Sequence, residues 1–396
     1  MSKQFDVCIR GGGIVGRTLA LLLSRERLRV ALVVKAHRQV DAAPADTATA
    51  ANADASKTDQ SGNKEDVRAY ALNSASKQLL ENLRVWPETA FATPVLSMQV
   101  WADDRARLDF SAQALGQPAL AWIADVPELE HQLMQAVRYQ GQIEVMDEPV
   151  KATLQVVCEG QKSSSRDEFG ATWSVKPYPQ KAIAARLTSD RPHHGVARQW
   201  FHNGEIVALL PVSNAAGAET PASSGNSVAL IWSVETRRAD ALLQLPDDRF
   251  CVALQAVCKD LPGKLTLLGE RASWPLALSS ADRWVGPGWA LAGDAAHTVH
   301  PLAGQGLNLG LADARELASV LAKREYWRAL GDERLLRRYE RSRKADIAAM
   351  SAVTDGLHGL FAQTDGRWQM AREWGMNGFA HSGRLKSWFM RRAAGF

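Results

Sequence analysis

Gly288-Trp289-Ala290-Leu291-Ala292-Gly293-Asp294-Ala295-Ala296-His297, continuing as Thr298-Val299-His300-Pro301-Leu302-Ala303-Gly304-Gln305-Gly306-Leu307-Asn308-Leu309-Gly310-Leu311-Ala312-Asp313, is the most informative stretch of this 396-residue chain. Its first part reads as a short apolar strand ending in Gly-Asp, and its second part as a glycine-rich turn that opens a helix. An aspartate at the C-terminal end of a strand suits a polyol hydroxyl. Flexible backbone at residues 304–306 places free helix-start N–H groups where they stabilise negative charge. A plain strand-turn-helix with a capping aspartate accounts for Asp294. It does not account for Pro301, Gly304, Gly306 and Asn308 arriving together behind it.

Working outward, the N-terminus carries Gly11-x-Gly13-x-x-Gly16 between a strand-like run at residues 5–9 and a Leu-rich helical pattern at 17–25; a β-rich run at 28–34 closes a βαβ unit. Gly11 permits the tight turn, Gly13 lets backbone approach a pyrophosphate, and Gly16 lets helix and strand pack closely. The acidic residue expected about 20 residues further on is absent: Val34 and Lys35 stand there, and the next acid is Asp41.

Composition excludes other classes. Hydrophobic residues make up 46% and charged residues 23%, as in a globular protein. The net charge of +4 is too small to indicate nucleic-acid binding. Cys8, Cys158, Cys251 and Cys258 are scattered without metal or disulfide spacing, which fits a reducing, cytoplasmic setting. The sequence shows no secretion signal and no apolar run of membrane-spanning length. Residues 41–64 contain no aromatic or branched aliphatic residue and read as a mobile insertion. The pattern predicts a helix over 66–85, strands over 95–110, a helix over 127–139, strands at 143–146 and 154–157, and an antiparallel sheet over 182–234 with a loop at 214–226. From Gly304 onward it is mostly helical. His193-His194 follows Pro192 in a turn and reads as solvated. His297-x-x-His300 has no third ligand nearby, so no metal site is expected.

The 293–313 stretch resembles the second FAD-binding signature of single-component aromatic hydroxylases, specifically the UbiH/VisC group of ubiquinone-biosynthesis flavin monooxygenases. Other segments resemble the same group in the same order: Arg68-x-x-Ala71-Leu72-x-x-x-Ser76, Tyr178-Pro179-Gln180-Lys181-Ala182, Gln199-Trp200-Phe201 with Ala208-Leu209-Leu210-Pro211, and Arg338-Tyr339-Glu340-x-x-Arg343-Lys344-x-Asp346. The resemblance implies an α/β fold: a Rossmann-like FAD-binding domain, an antiparallel-sheet substrate domain and C-terminal helices. The expected division is 1–78, 120–170 and 283–325 for FAD, 79–119 and 171–282 for substrate, and 326–396 for the helical region.

The implied cofactor residues are Gly11, Gly13 and Gly16 at the pyrophosphate, Arg68 at the ribityl-pyrophosphate region and Asp294 at the ribityl chain. Pro301, Gly304, Gln305, Gly306 and Asn308 would line the isoalloxazine. Glu159-Gly160 stands where the family carries Asp-Gly. The implied activity is hydroxylation of a lipid-borne phenolic ring through a flavin hydroperoxide, with NAD(P)H as electron donor; no particular catalytic side chain is singled out. Trp200 and Trp232 fall in the predicted sheet and are expected to wall a pocket for a greasy ring. The basic, aromatic tail at 384–392 fits either peripheral membrane contact on the inner face or packing against a partner in a quinone-biosynthesis complex. Lys35, Glu159 and a shortened β-excursion after residue 146 depart from the family pattern. They keep a second reading open, a non-catalytic accessory member with weakened flavin binding.

Overall fold

The computed structural model describes residues 4–34, 67–102, 106–213, 225–259, 261–299 and 305–362. The expectations placed on Lys35, residues 41–64, His300, Pro301, Gly304 and the tail at 384–392 lie outside them.

Three sheets organise the described chain. The six-stranded sheet runs Val285–Gly286, Trp289–Leu291, Ala152–Val157, Phe5–Arg10, Val30–Val33, Ile143–Met146, and every pairing is parallel except the first. Parallel strands are covered on both faces, which is why Val30–Val33 (Val-Ala-Leu-Val) is buried along its whole length. Helices Ile14–Arg25, Val126–Arg138 and Gly306–Ala322 supply much of the apolar cover, with Leu19, Leu23, Leu129, Leu133, Leu317 and Leu321 in one core. Residues 147–151 alone link Ile143–Met146 to Ala152–Val157, and Val150 in that link packs against the small cluster around Phe5, Cys8, Ala31 and Val33.

The eight-stranded sheet contains the long strands Trp173–Ser189 and Leu265–Ala281, then Ser227–Glu235, Glu205–Val212, Val196–His202, Ser97–Ala102 and Ala106–Ser111; His297–Thr298 pairs at its other edge. It is antiparallel apart from the pairing of Val196–His202 with Ser97–Ala102. Strand Leu265–Ala281 has no clean alternation. Half exposed and paired through register shifts, it gives little signal in the sequence. A three-stranded sheet of Ala69–Leu72, Ala121–Asp125 and Ala92–Val95 packs on the inner face of the large one.

Two expectations are corrected here. Residues 66–85 are not one helix: Ala69–Leu72 is a strand, and the helix Ser74–Asn82 starts only where the Asn73 side chain accepts the Ser76 N–H. An apolar strand running directly into an amphipathic helix mimics one continuous periodicity. Trp200 and Trp232 also do not face a substrate pocket. They share the opposite sheet face with Val207 and Ile183, under helices Thr236–Leu243 and Asp247–Cys258, where Trp232 packs on Phe250 and donates its indole N–H to Glu205. Register puts Trp274 on the inner face instead, beside Ala182.

Helix Glu333–Ala362 closes the described structure, and no helix among the described residues is long and apolar enough to cross a membrane.

Candidate active site

The site lies at the C-terminal end of the parallel strands. Gly11 follows strand Phe5–Arg10 at φ +120°, and a Cβ there would lie 2.4 Å from the Cys158 carbonyl oxygen, so glycine is what allows the adjacent strand ends to approach. A Cβ on Gly16 would lie 1.9 Å from the Gly11 carbonyl oxygen, whereas one on Gly13 meets nothing within 4 Å. The turn is therefore tight on its protein side and open on the other. Helix Ile14–Arg25 begins there with no capping side chain and no acid in its first turn, so its leading amides remain available to an anion.

Val15 joins this turn to the second motif. A Cβ on Gly310 would lie 2.7 Å from Val15, and one on Gly293, at φ +64°, would lie 3.3 Å from it. The Gly293-Asp294 turn and helix Gly306–Ala322 thus converge on the start of helix Ile14–Arg25, bringing Gly11, Gly13, Gly16, Asp294, Gln305 and Gly306 together. Asp294 is exposed to solvent although protein surrounds it on most sides. That burial raises its carboxyl above the usual range; His297 opposes the shift and Asp313 adds to it. Its carboxylate accepts no hydrogen bond from any described residue. Helix Gly306–Ala322 also starts without a capping side chain or first-turn acid.

The remaining residues that the resemblance implies have these surroundings. Asn308 is buried, and its amide is fully used by the fold. Its oxygen accepts from Asn73 N–H (3.0 Å) and Ser76 Oγ (2.8 Å), and its nitrogen donates to the carbonyl of Ala71 (2.8 Å) and to Gln305 Oε1 (3.4 Å). Its side chain clamps the helix start to the segment after Arg68. The Glu159 carboxylate accepts from Ser163 Oγ (2.7 Å), Ser165 N–H (3.2 Å) and Ser165 Oγ (3.0 Å), and so organises its own loop. Gly160 follows at φ +78° with open space at its Cα. Arg68 has an exposed side chain, and its carbonyl accepts from Arg186 Nη2 at 3.0 Å. Val34 occupies the strand end where an acid was sought, against Gly12.

Three features escape sequence reasoning. Arg166, buried and 3.7 Å above the Trp173 ring, donates to the carbonyls of Ala295 (3.3 Å) and Gln161 (2.6 Å), tying the Glu159 loop to the Asp294 turn. Arg186 projects from the inner face of the large sheet onto Asp125 at 2.7 Å. Asp313, His297 and Arg343 form a buried cluster beneath Gly293. Arg166 and Arg186 carry no periodic or motif signal; His297, Asp313 and Arg343 lie in segments quoted above, but nothing in their order shows that they pair. His193 is also buried, not solvated: its Nδ1 accepts the Gly195 N–H (3.0 Å), which leaves Nε2 to donate to the Val212 carbonyl (3.2 Å).

The chain is similar to known proteins in both sequence and fold. The ubiquinone hydroxylase UbiL of Rhodospirillum rubrum is 29% identical over 416 residues, covering 99% of this chain and 90% of its own. The 3-demethoxyubiquinol 3-hydroxylase of Escherichia coli is 26% identical over 420 residues, covering 100% and 99%. The crystal structure of PqsL, a probable FAD-dependent monooxygenase from Pseudomonas aeruginosa, shares the fold with a TM-score of 0.72 at 19% identity, over 95% of this chain and 100% of that one. The FAD binding domain family matches residues 4–354, nearly all of the described structure, and the chain belongs to that family.

Proposed function

We propose that this protein is an FAD-dependent monooxygenase that hydroxylates the aromatic ring of a polyprenyl phenol in ubiquinone biosynthesis. The observation that carries the reading is the open Asp294 carboxylate between two uncapped helix starts. That arrangement fits a molecule with polyol hydroxyls in its middle and an anionic group at one end. The open space at Gly13 fits the same group, since backbone there can meet a pyrophosphate directly.

In this reading the amides following Gly11 and Gly13 hold the pyrophosphate, Asp294 accepts from a ribityl hydroxyl, and the backbone from Gln305 to Gly306 supports charge on the ring system. Pro301, Gly304 and Arg68 complete the contacts. When bound, the flavin supplies the activation of oxygen and the transfer of a hydroxyl group, with NAD(P)H as the reductant. The chain orients the phenol and keeps water away. The row Gln199, Ala208, Ile231 and Ala184 crosses four strands of the inner sheet face, and Gln199 is its one polar member. The six-stranded sheet with its helices is the cofactor domain, and the eight-stranded sheet the substrate domain. Val34 in place of an acid means that the adenosine ribose is held by other groups. A lipid-borne substrate calls for peripheral contact with the inner membrane face or with partner enzymes.

The purified protein is expected to be yellow, absorbing near ~450 nm, and to release FAD on denaturation. Asp294→Ala abolishes both flavin content and restoration of quinone in a deletion strain, and the intermediate that accumulates there identifies the ring position. A colourless protein that FAD does not reconstitute sinks the proposal. The commitment of Glu159 to Ser163 and Ser165 favours a second reading, an accessory subunit without turnover; it holds if Asp294→Ala still restores quinone.

A further inference from the structure

The turn that carries Asp294 is held from beneath by buried charge. Asp313, on helix Gly306–Ala322, is fully buried. Its Oδ2 accepts the Gly293 N–H at 2.9 Å and lies 2.7 Å from His297 Nε2; its Oδ1 accepts from Arg343 Nε at 2.7 Å. Arg343 belongs to helix Glu333–Ala362 and is itself buried, with its remaining N–H groups directed to Asp346 Oδ2 (2.6 Å) and the Leu309 carbonyl (3.4 Å). One turn earlier on that helix, Tyr339 donates its hydroxyl to the carbonyl of Leu291, where the strand before the turn ends. Trp284 stacks on His297 with centroids 4.8 Å apart.

A carboxylate without solvent contact depends on its protein donors for all of its stabilisation. Moving Arg343 therefore moves Asp313, and with it the Gly293 amide that sets the angle of the Asp294 turn. Burial alone would push the Asp313 carboxyl up; the charges and hydrogen bonds of His297 and Arg343 outweigh it and hold the group ionised. The charge of Asp313 is also felt at Asp294.

We propose that Asp313 and Arg343 are positioning residues of the cofactor site: helix Glu333–Ala362, which supplies none of the glycine motifs, sets the Gly293-Asp294 turn and balances the charge beneath it. The inference rests on the flavin reading above, and its test separates the two. In flavin-free protein, hydrogen exchange of the segment 289–299 is expected to speed up about tenfold or more in Asp313→Asn, the consequence of losing one charge-assisted hydrogen bond, while exchange in the eight-stranded sheet is unchanged. In flavin-loaded protein the midpoint potential falls in Arg343→Met, which removes a positive charge beneath the turn. It rises in Asp313→Asn, which removes a negative charge beneath the turn, and returns toward wild type in Arg343→Lys. A merely structural role does not produce shifts of opposite sign.

Unchanged exchange across 289–299 in a cooperatively folding Asp313→Asn protein, or potentials that move in the same direction, overturns the proposal. If the wild type takes up no flavin, the flavin reading fails and the exchange comparison still decides the role of Asp313. If neither variant folds, native-state exchange of the wild type decides it: opening of 289–299 together with 336–347 supports the coupling, and independent opening overturns it.

Discussion

Gly13 and Gly16 lie three residues apart in one motif, yet the structure assigns them different costs. A methyl group on Gly16 lands 1.9 Å from a backbone carbonyl oxygen, and no rotamer change relieves a clash between Cβ and backbone. Overpacking of this kind costs about 1–3 kcal/mol, and the upper end applies because the start of helix Ile14–Arg25 must move. A methyl group on Gly13 meets nothing within 4 Å, and the residue has φ −76° and ψ −176°, which alanine adopts freely. Lower unfolded-state entropy then offsets poorer capping, and stability stays within about 1 kcal/mol of wild type. In the proposed function the pyrophosphate occupies that open space, so Gly13→Ala is expected to obstruct at least one charge-assisted hydrogen bond and to weaken FAD by about 10- to 100-fold. Urea denaturation of the flavin-free proteins measures the first quantity, and quenching of flavin fluorescence on titration with apoprotein measures the second. Gly16→Ala should lose on both and Gly13→Ala on binding alone. A Gly13→Ala protein that binds FAD as tightly as wild type would show that the pyrophosphate does not lie on this turn.

Two further outcomes follow from buried polar groups. Asp125→Ala removes the carboxylate facing the buried Arg186 and the cap of helix Val126–Arg138, and is expected to cost about 3–4 kcal/mol in urea denaturation; Asp125→Ser, which keeps a cap, should recover about 1 kcal/mol of it, and a loss below about 1 kcal/mol for the alanine variant would contradict a stabilising ion pair. Burial lowers the His193 pKa, so the folded state keeps the imidazole neutral while the unfolded chain protonates near its ordinary value of about 6.5. The linked stability is fully present above that pH and is lost as pH falls toward the folded-state pKa; the urea midpoint of wild type should therefore drop more between pH 7.5 and 5.5 than that of His193→Gln, and parallel pH profiles would refute the assignment.

The residues of the chain alone specified its βαβ start, its Gly-Asp strand end and its glycine-led helix, because each is a local pattern: apolar periods, a strained turn, a helix start. Gly11, Gly13, Gly16, Asp294 and Gly306 of the candidate site fall at such turns and helix starts, and their local placement was legible. Tertiary structure decided the rest. Which face of an alternating strand points inward depends on what covers it, and helices Thr236–Leu243 and Asp247–Cys258 draw Trp200 and Trp232 to the outer face. A polar side chain binds whichever groups are left unsatisfied beside it after folding, and those can be distant in sequence. Asn308 reaches Ala71, Arg186 reaches Asp125 and Arg343 reaches Asp313. Burial makes such pairings obligatory, because no water can replace them, and it leaves no periodicity in the sequence by which to find them.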